Sequence, residues 1–310
     1  MTSNRAPIRI AIAGLGKIAR DQHVPAIAES EAFTLVATAS PDGAEAGVPA
    51  YRALPALLAA HPEVDAVAIC TPPQVRREVA MAAIAAGKHV LLEKPPAATL
   101  AEVDALIQAA QAHGVSLFAA WHSRFAPAVA PARRWLNGKA IRRVSLHWKE
   151  DIRHWHPGQD WILAPGGMGV FDPAINALSI ATAILPSFHV ASARLAVPQG
   201  RHAPIAGALQ FGGLAGPFVA ELDFLQTGPQ SWDIIVETDA GTLALALGGS
   251  TLAIDGKAIA LDEAGEYPSL YALFAELVHA GASEVDARPL QLVADAFMLA
   301  ETETAPAFDW

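Results

Sequence analysis

Hydrophobic residues between Ile8 and Ala120 form short runs that are apolar throughout rather than alternating with polar residues. Such runs predict strands covered on both faces, and they lie at Ile8–Ala13, Thr34–Ala39, Ala66–Cys70, His89–Glu93 and Val115–Ala120. Helical spacing between the runs predicts helices near Ile18–Ala28, Leu54–Ala60, Val75–Ala86 and Leu100–His113. This alternation of strands and helices predicts an α/β domain with a doubly wound parallel sheet.

The pattern changes after Trp121, where longer segments alternate between apolar and polar residues. Alternation predicts strands with one solvated face, at Arg143–Trp148, Ala191–Val197, Phe218–Phe224, Trp232–Glu237 and Thr242–Leu247. Helical spacing recurs at Pro173–Leu185, Leu270–His279 and Pro289–Glu301, and Asp255-Gly256 predicts a two-residue hairpin turn. The sequence therefore predicts a second, α+β domain with a mostly antiparallel sheet, and the two domains are expected to span residues 1–122 and 123–310.

Local signals mark several helix ends. Gly87 and Gly114 each follow a helical run, as expected of residues that end a helix in the left-handed conformation. Thr99 and Glu102 fit a capping box at the start of the helix between these glycines.

The composition is that of a compact globular chain, with 53% hydrophobic and 17% charged residues among 310. A formal net charge of −10 argues against nucleic acid or an anionic membrane as partner, because clustered Lys and Arg bind both. The N-terminus lacks the apolar segment of a signal peptide, and no apolar run approaches the roughly 18 residues that span a membrane. A soluble, cytoplasmic protein is expected, in which the single cysteine, Cys70, is a buried thiol.

The first apolar run leads directly into a glycine-rich turn, Gly14-Leu15-Gly16-Lys17-Ile18-Ala19, and then into a helical stretch. In the G-x-G-x-x-A pattern the glycines permit a tight turn and the close approach of a pyrophosphate, to which the helix N-terminus offers backbone N–H groups. A plain glycine turn is the alternative, but the strand before it and the helix after it favour a dinucleotide site. Gly14, Gly16, Lys17 and Ile18 are expected to contact that cofactor.

The residues after the second apolar run, Ser40-Pro41-Asp42, bear on which dinucleotide binds. An acidic residue at this strand end holds the ribose hydroxyls of NAD and repels the 2′-phosphate of NADP. Ser40 can donate to a phosphate instead, which favours NADP. The arginine usual for NADP is absent and Asp42 lies two residues on, so NAD remains an alternative.

Another apolar run ends in Glu93-Lys94-Pro95. Ligands of open parallel sheets bind just outside the carboxyl ends of the strands, so Lys94 places an ammonium where a substrate oxygen could lie. Trp121-His122 follows the last run of the first domain at the same edge. Taken alone, these are also compatible with an ordinary charged strand end and a structural histidine.

A second glycine-rich segment, Gly166-Gly167-Met168-Gly169, leads to Asp172, Pro173 and Asn176. Pro173 is expected at the first helical position, and Asp172 and Asn176, four residues apart, then lie on one side of the helix. The alternative is that Asp172 is only an N-cap and Asn176 a polar surface residue.

Tryptophans and charged residues are concentrated before that segment, from Trp148-Lys149-Glu150 through Trp155-His156 to Trp161. Aromatic faces beside carboxylates and imidazoles suit a sugar, although a set of core and interface tryptophans is an equal alternative. The histidines show no helical pair at metal-ligand spacing and no cysteine partner, so no metal site is expected.

Together these motifs resemble the glucose–fructose oxidoreductase/inositol dehydrogenase (Gfo/Idh/MocA) family. The resemblance covers essentially the whole chain, and it is carried by the G-x-G-x-x-A turn, Thr71-Pro72-Pro73, Ala86-Gly87-Lys88-His89-Val90, Glu93-Lys94-Pro95 and the glycine-rich loop ending in Asp172. Within the family, similarity is strongest to the bacterial aldose 1-dehydrogenases that act on L-arabinose and D-galactose, through Gly16–His23, Trp148–Asp151, Trp155–Gln159 and Phe171–Asn176.

The resemblance implies hydride transfer from C1 of L-arabinose or D-galactose to NADP or NAD, giving an aldonolactone. It implies a catalytic set of Lys94, Asp172 and Asn176, a sugar pocket lined by His122, Glu150, Trp155 and Trp232, and further cofactor contacts from Thr71, Pro72, Glu93 and Lys94. Residues 1–122 would then bind the dinucleotide, and residues 123–310 would bind substrate and form a homo-oligomer, expected to be a dimer.

Two positions depart from the wider family. Most members have a histidine general base four residues after the aspartate, where this chain has Asn176, so Asp172 or Lys94 must accept the proton. Arg76 also stands where the wider family often has histidine. The alternatives are an inositol-type or other sugar dehydrogenase, and a non-catalytic dinucleotide-binding regulatory module.

Overall fold

The backbone forms two sheets, which divide the chain into two units. The structure is a computed structural model and describes residues 6–41, 43–262 and 265–310. The first unit comprises residues 6–122 and 265–287, and the second comprises residues 123–262 and 288–310.

The strands and helices are numbered in chain order. The strands are β1 (Ile8–Ala13), β2 (Phe33–Ala39), β3 (Ala50–Tyr51), β4 (Ala66–Ile69), β5 (His89–Glu93), β6 (Leu117–Ala120), β7 (Ile141–Lys149), β8 (His189–Pro198), β9 (Ala206–Gly212), β10 (Phe218–Asp223), β11 (Ser231–Thr238), β12 (Gly241–Ala246), β13 (Thr251–Ile254), β14 (Lys257–Ala258) and β15 (Ala300–Ala305). The α-helices are α1 (Val24–Ala28), α2 (Leu54–Ala60), α3 (Pro73–Ala85), α4 (Leu100–His113), α5 (Val129–Leu136), α6 (Ile152–Trp155), α7 (Phe171–Ile184), α8 (Glu266–Ala280) and α9 (Arg288–Leu299).

The first unit is built on a parallel sheet with strand order β3-β2-β1-β4-β5-β6. Its register aligns the carboxyl ends of the strands: Ala13 lies opposite both Ala39 and Ile69, and Glu93 lies opposite Ala120. The residues that follow β1, β2, β4, β5 and β6 therefore meet at one edge. The predicted doubly wound parallel sheet is confirmed.

Helix α8 belongs to the first unit although it comes late in the sequence. Its Tyr267, Tyr271 and Phe274 are buried, and the Phe274 ring stacks on Phe33 and Phe118 at centroid distances of 5.9 and 6.0 Å. The expected boundary, with residues 123–310 forming one domain, therefore differs from the structure in the segment 265–287. Helical spacing reveals an apolar face but not the sheet against which that face packs.

The second unit contains a nine-stranded sheet with order β14-β13-β12-β11-β7-β10-β9-β8-β15. Its neighbours pair antiparallel except for β7–β10 and β8–β15. Along β7, Val144, Leu146 and Trp148 are buried, while His147 and Lys149 lie beside Glu221 on the other face. Helices α7 and α9 pack against the sheet and each other. The predicted mostly antiparallel second sheet is confirmed.

Several boundaries match, and among those that differ are the ends or types of three predicted helices. The Asp255-Gly256 turn joins β13 to β14 with φ angles of 49° and 74°, as its sequence predicts. The expected helix Ile18–Ala28 contains a π-helical turn, Ala19–His23, before α1. Helix α7 begins at Phe171, so Pro173 is the third rather than the first helical residue. The expected helix Pro289–Glu301 ends at Leu299, and Ala300–Ala305 forms β15.

Within residues 6–41, 43–262 and 265–310, no helix has both the length and the apolar character needed to cross a membrane.

Candidate active site

Gly14 lies where three strand ends converge. Its φ is +92°, and a Cβ built there would be 2.7 Å from the backbone nitrogen of Thr71 and 2.8 Å from the carbonyl carbon of Cys70. Its own N–H donates to the Ala39 carbonyl at 2.8 Å. Only glycine fits this turn, which holds the ends of β1, β2 and β4 together.

Gly16 differs because no heavy atom lies within 4 Å of a Cβ built on it. Gly16, Lys17 and Ile18 are exposed, and the Gly16 carbonyl accepts from the Arg20 N–H as the helix begins. The first N–H groups of a helix have no partner within it and favour an anion. Open space above Gly16 next to a helix N-terminus fits a pyrophosphate.

Ser40 follows β2 at the same edge, and its N–H donates to the Tyr51 carbonyl at 2.8 Å. Arg20, which was not singled out from the sequence, reaches the segment after Ser40. Its guanidinium donates to the Ala44 carbonyl and to Glu45, each at 3.2 Å. Asp42, considered above as an NAD determinant, lies outside the described residues.

Arg76 joins the ends of β4 and β5. It is buried in α3, which starts after Thr71 and Pro72, and its guanidinium donates to the carbonyls of Thr71, Glu93 and Pro95. The residue that replaces a family histidine therefore fixes the backbone on both sides of Lys94.

The Glu93 carboxylate lies in a buried network. Oε1 accepts from the Tyr267 hydroxyl at 2.6 Å and pairs with His23 Nε2 at 3.1 Å, and Oε2 accepts from the backbone N–H of Lys94 at 2.7 Å. His23 Nδ1 lies 2.8 Å from the Tyr271 hydroxyl. Three protein donors thus contact the Glu93 carboxylate, and its bond to the Lys94 N–H fixes the backbone of Lys94. A contact of Glu93 with the cofactor remains a prediction.

The pKa values in this network shift in opposite directions. Burial raises the pKa of Glu93, but the hydrogen bond and charge of His23 hold it well below its ordinary value. Burial lowers the pKa of His23, and the surrounding Cys70, Tyr271 and Glu93 raise it well above its ordinary value. Burial raises the pKa of Tyr271 to about 12. The network therefore holds a carboxylate–imidazolium pair.

His122 follows β6 and is half-buried at the same sheet edge. Its Nδ1 lies 2.6 Å from Glu266 Oε2, and its ring stacks on Tyr267 at a centroid distance of 5.3 Å. The ring is therefore fixed by helix α8 rather than by its own strand.

The second unit gathers its site residues around Glu150. This carboxylate is buried directly after β7, where Oε2 accepts from Trp232 Nε1 at 2.8 Å and Oε1 lies 3.0 Å from His156 Nε2. Trp232 stacks on Trp148 at 6.0 Å and lies 4.8 Å from Trp155. Trp232 therefore connects the Glu150 carboxylate to Trp148 and Trp155, two of the tryptophans that lie near Glu150 in the sequence.

Asp172 and Asn176 lie on the first turns of α7. Cβ atoms at Gly167 and Gly169 would lie 2.2 Å and 2.1 Å from backbone carbonyl oxygens, so the glycine-rich loop before the helix is tightly packed. Asp172 Oδ2 lies 3.9 Å from the Nδ1 of His156. Every residue of α7 is described, and all are buried except Asn176 and Ala183, so Asn176 is the polar side chain that this helix exposes.

Known proteins resemble this chain in sequence. Residues 8–120 match the family described as an oxidoreductase family with an NAD-binding Rossmann fold, GFO_IDH_MocA. The chain is 45% identical to galactose 1-dehydrogenase from Pseudomonas fluorescens over 97% of its own length and 99% of that protein's. The chain belongs to the Gfo/Idh/MocA oxidoreductase family.

Solved structures support the same assignment. A D-galactose 1-dehydrogenase from Rhizobium etli is 53% identical, with full coverage of both chains and a TM-score of 0.94. A 3-ketoreductase from Actinomadura kijaniata, solved with NADP and TDP-benzene, has a TM-score of 0.81 at 20% identity, covering 97% of this chain and 100% of its own. The second likeness shows the fold alone.

In this family member the predicted residues fall into two groups, one in each unit. The strand-end edge of the first unit holds Gly14, Gly16, Lys17, Ile18, Ser40, Thr71, Pro72, Glu93, Lys94 and His122. The surroundings of Glu150 in the second unit hold Trp155, Asp172, Asn176 and Trp232.

The sequence assigned no role to Arg20 or His23, and it indicated His156 only as one of the imidazoles in the tryptophan-rich segment. Each stands in a motif that carried the family resemblance, but the motif alone does not show which side chains face a carboxylate.

Proposed function

We propose that this oxidoreductase is an aldose 1-dehydrogenase, which transfers hydride from C1 of L-arabinose or D-galactose to NADP, or to NAD, and forms the aldonolactone. The observation that carries the proposal is 45% identity to a galactose 1-dehydrogenase over nearly the whole of both chains. The Glu150–Trp232 pairing beside Trp155 supports it, because a buried acceptor next to aromatic faces suits a sugar.

In the proposed reaction the C1–H bond breaks as hydride leaves, the O1–H proton passes to the protein, and C1=O1 forms. Lys94 binds and polarises O1, and Asp172 accepts or relays the proton. Asn176 orients the sugar, since an amide cannot accept a proton at neutral pH. Lys94 is suited to its role because Arg76 and Glu93 fix its backbone.

Sugar recognition is assigned to Glu150, Trp155, Trp232 and His122. The Glu150 carboxylate has acceptor capacity left after its bonds to Trp232 and His156, so it can accept from a sugar hydroxyl. A hydroxyl of the wrong configuration leaves a buried group unpaired, which costs about 1–3 kcal/mol, or roughly ten- to a hundredfold in kcat/KM.

The turn at Gly14 and Gly16 would hold the dinucleotide, the N–H groups of Lys17 and Ile18 would donate to its phosphates, and Thr71 and Pro72 would contact it from the adjoining strand end. When bound, it supplies the hydride acceptor. NADP is preferred, because Ser40 can donate to a 2′-phosphate and Arg20 adds a cation beside the segment that follows β2.

The test is a panel of L-arabinose, D-galactose, D-glucose and inositols, assayed with NADP and NAD and with product identification. The expected result is lactone from the first two sugars and much lower kcat/KM for D-glucose, the C4 epimer of D-galactose. Equal activity on D-glucose contradicts the argument that a hydroxyl of the wrong configuration leaves a buried group unpaired. Oxidation at C2 or C3 contradicts the reaction class, and inactivity with intact cofactor binding favours the regulatory alternative.

Lys94→Ala and Asp172→Ala test the assigned roles. Each is expected to lower kcat by at least about a hundredfold, as for loss of acid–base assistance. Lys88→Ala is the matched control, because Lys88 precedes β5, at the strand end opposite Lys94, and donates to the Pro62 carbonyl. Near-normal turnover in either site variant, with cofactor affinity retained, overturns that assignment.

A further inference from the structure

His156 lies between two buried carboxylates. Its Nε2 is 3.0 Å from Glu150 Oε1, its Nδ1 is 3.9 Å from Asp172 Oδ2, and its side chain is 18% exposed. The ring packs edge-on against Phe224 at 5.6 Å, and the residue ends helix α6 with its N–H donating to the Ile152 carbonyl at 2.8 Å. Backbone and ring are both held in place.

The Glu150 contact determines which ring nitrogen of a neutral His156 carries hydrogen. An ionised carboxylate only accepts hydrogen bonds, so Nε2 must be the donor toward Glu150. The lone pair of Nδ1 then faces Asp172. Two acceptors face each other across 3.9 Å, and no hydrogen bond joins them until one of them gains a proton.

We propose that His156 is a positioning residue that acts through Asp172, by accepting at Nδ1 the proton that Asp172 takes from the sugar. The inference rests on the proposed function. The sugar O–H bond breaks as an O–H bond forms on Asp172; that bond then breaks as Nδ1–H forms, and the Asp172 carboxylate is restored. The imidazolium then lies between two carboxylates. The Nδ1–H bond breaks as water takes the proton, since the His156 side chain is 18% exposed.

This role explains how the chain functions with Asn176 one turn after Asp172. An amide at that position cannot take a proton. His156, which approaches Asp172 from the end of a different helix, supplies an imidazole to the same carboxylate.

The first experiment measures kcat and KM for His156→Gln and His156→Asn. The matched control is His147→Gln, since His147 lies on the opposite face of β7 beside Glu221. We expect kcat to fall about ten- to a hundredfold with sugar KM nearly unchanged, whereas the control matches wild type. Circular dichroism and cofactor affinity verify that each variant folds.

Chemical rescue separates proton acceptance from packing. Imidazole, 4-methylimidazole and 1,2,4-triazole should restore turnover of His156→Ala in order of their basicity, and should not restore Asp172→Asn. If the extent of rescue does not follow the basicity of the added compound, the proposed role of His156 is wrong. The same holds if the His156 variants match the control while wild type turns over sugar, and neither result contradicts the proposed function.

A nitrogen NMR measurement on the free protein tests the tautomer without turnover. The His156 resonances are assigned by their loss in His156→Gln. The expected form is neutral, with hydrogen on Nε2 and a bare Nδ1. Hydrogen on Nδ1 alone, or a permanent imidazolium between pH 6 and 9, overturns the inference even if no aldose proves to be a substrate.

Discussion

Glu93 shows how one side chain can fix another residue's backbone. Its carboxylate accepts from His23, from Tyr267 and from the N–H of Lys94, groups that lie far apart in the sequence except for the last. The aligned strand ends bring Lys94 to the ligand edge, and this network holds it there. Because the pair of Glu93 and His23 is buried, removing one partner leaves an uncompensated charge.

His23→Gln should change how stability depends on pH. The pKa of His23 in the folded protein lies above its ordinary value of 6.5, so its contribution is complete below about pH 6.5 and is lost as pH rises through the folded-state pKa. The pKa of Glu93 is depressed, so its contribution is complete above about pH 4.5 and is lost as pH falls below that. Urea unfolding of wild type should therefore show a free energy of unfolding that falls as pH rises above about 6.5.

The His23→Gln variant should lack this decline in the free energy of unfolding. His113→Gln is the control, since His113 is exposed at the end of α4 and should leave the profile as in wild type. An unchanged slope in His23→Gln between pH 6.5 and 9 would show that the imidazole does not gain its proton on folding.

Ser40→Asp should shift cofactor preference toward NAD. A carboxylate at the end of β2 can accept from both ribose hydroxyls, and it repels a 2′-phosphate. The measurement is the ratio of kcat/KM for NADP and NAD, together with both dissociation constants from cofactor fluorescence. If neither the ratio of kcat/KM values nor the ratio of dissociation constants for NADP and NAD changes, Ser40 does not contact the adenosine ribose.

Elements with local signals were predictable from the sequence. Helix α4 starts with the expected capping box, in which Thr99 Oγ1 accepts from the Glu102 N–H, although Glu102 reaches the N–H of Ala98 rather than that of Thr99. Gly87 and Gly114 adopt the expected left-handed conformation. These features depend on a few neighbouring residues, so the local sequence specifies them.

Elements set by distant contacts were not predictable. The apolar run through Glu301 has helical spacing, but pairing with β8 makes Ala300–Ala305 a strand. His156 and Asp172 meet because α6 ends beside the start of α7, which no sequence spacing states. Motifs therefore predicted Lys94 at a strand end of the first unit and Glu150 among the tryptophans of the second, whereas their partners from other elements emerged only from the fold.

The glycine-rich loop before α7 offers a sharp test at the element scale. Gly169 and Gly200 both have positive φ, at 57° and 77°, but only at Gly169 does a Cβ collide with backbone, 2.1 Å from the Pro204 oxygen. Gly200→Ala should lower the free energy of unfolding by about 1–2 kcal/mol through backbone strain. Gly169→Ala should lower it by about 1–3 kcal/mol more, because the added Cβ overpacks the loop. Chemical unfolding of both variants measures the difference. Equal losses of unfolding free energy would mean that the loop can shift to accommodate a Cβ at residue 169 without an energetic penalty.

At the scale of the whole molecule, the first unit is assembled from two separate stretches of chain. Residues 265–287 add α8 and complete a core that contains Phe33 and Phe118. The alternation of strands and helices ends near Trp121, where the first of these two stretches also ends. The sequence pattern could not show that the chain returns to the first unit at α8, because an apolar helix face can pack against either sheet.

A fragment of residues 1–122 should therefore not fold cooperatively, whereas the same fragment joined to 265–287 by a short Gly/Ser linker should. A short linker is adequate because the side chains of His122 and Glu266 lie 2.6 Å apart. Thermal unfolding followed by circular dichroism is the measurement. A sharp transition in the short fragment would show that α8 is dispensable for the first core.

Because α8 lies late in the sequence, it is synthesised well after the strands against which it packs. A ribosome adding ~5–20 residues per second needs roughly 10–30 s to proceed from His122 to Ala280. For that interval the nascent sheet has its strands but lacks Tyr271 opposite the buried His23, and Phe33 and Phe118 lack the ring that stacks on them. The nucleotide-binding half, although made first, completes its core only after most of the second unit has emerged, and in that interval its unfinished surface is open to chaperones and to aggregation.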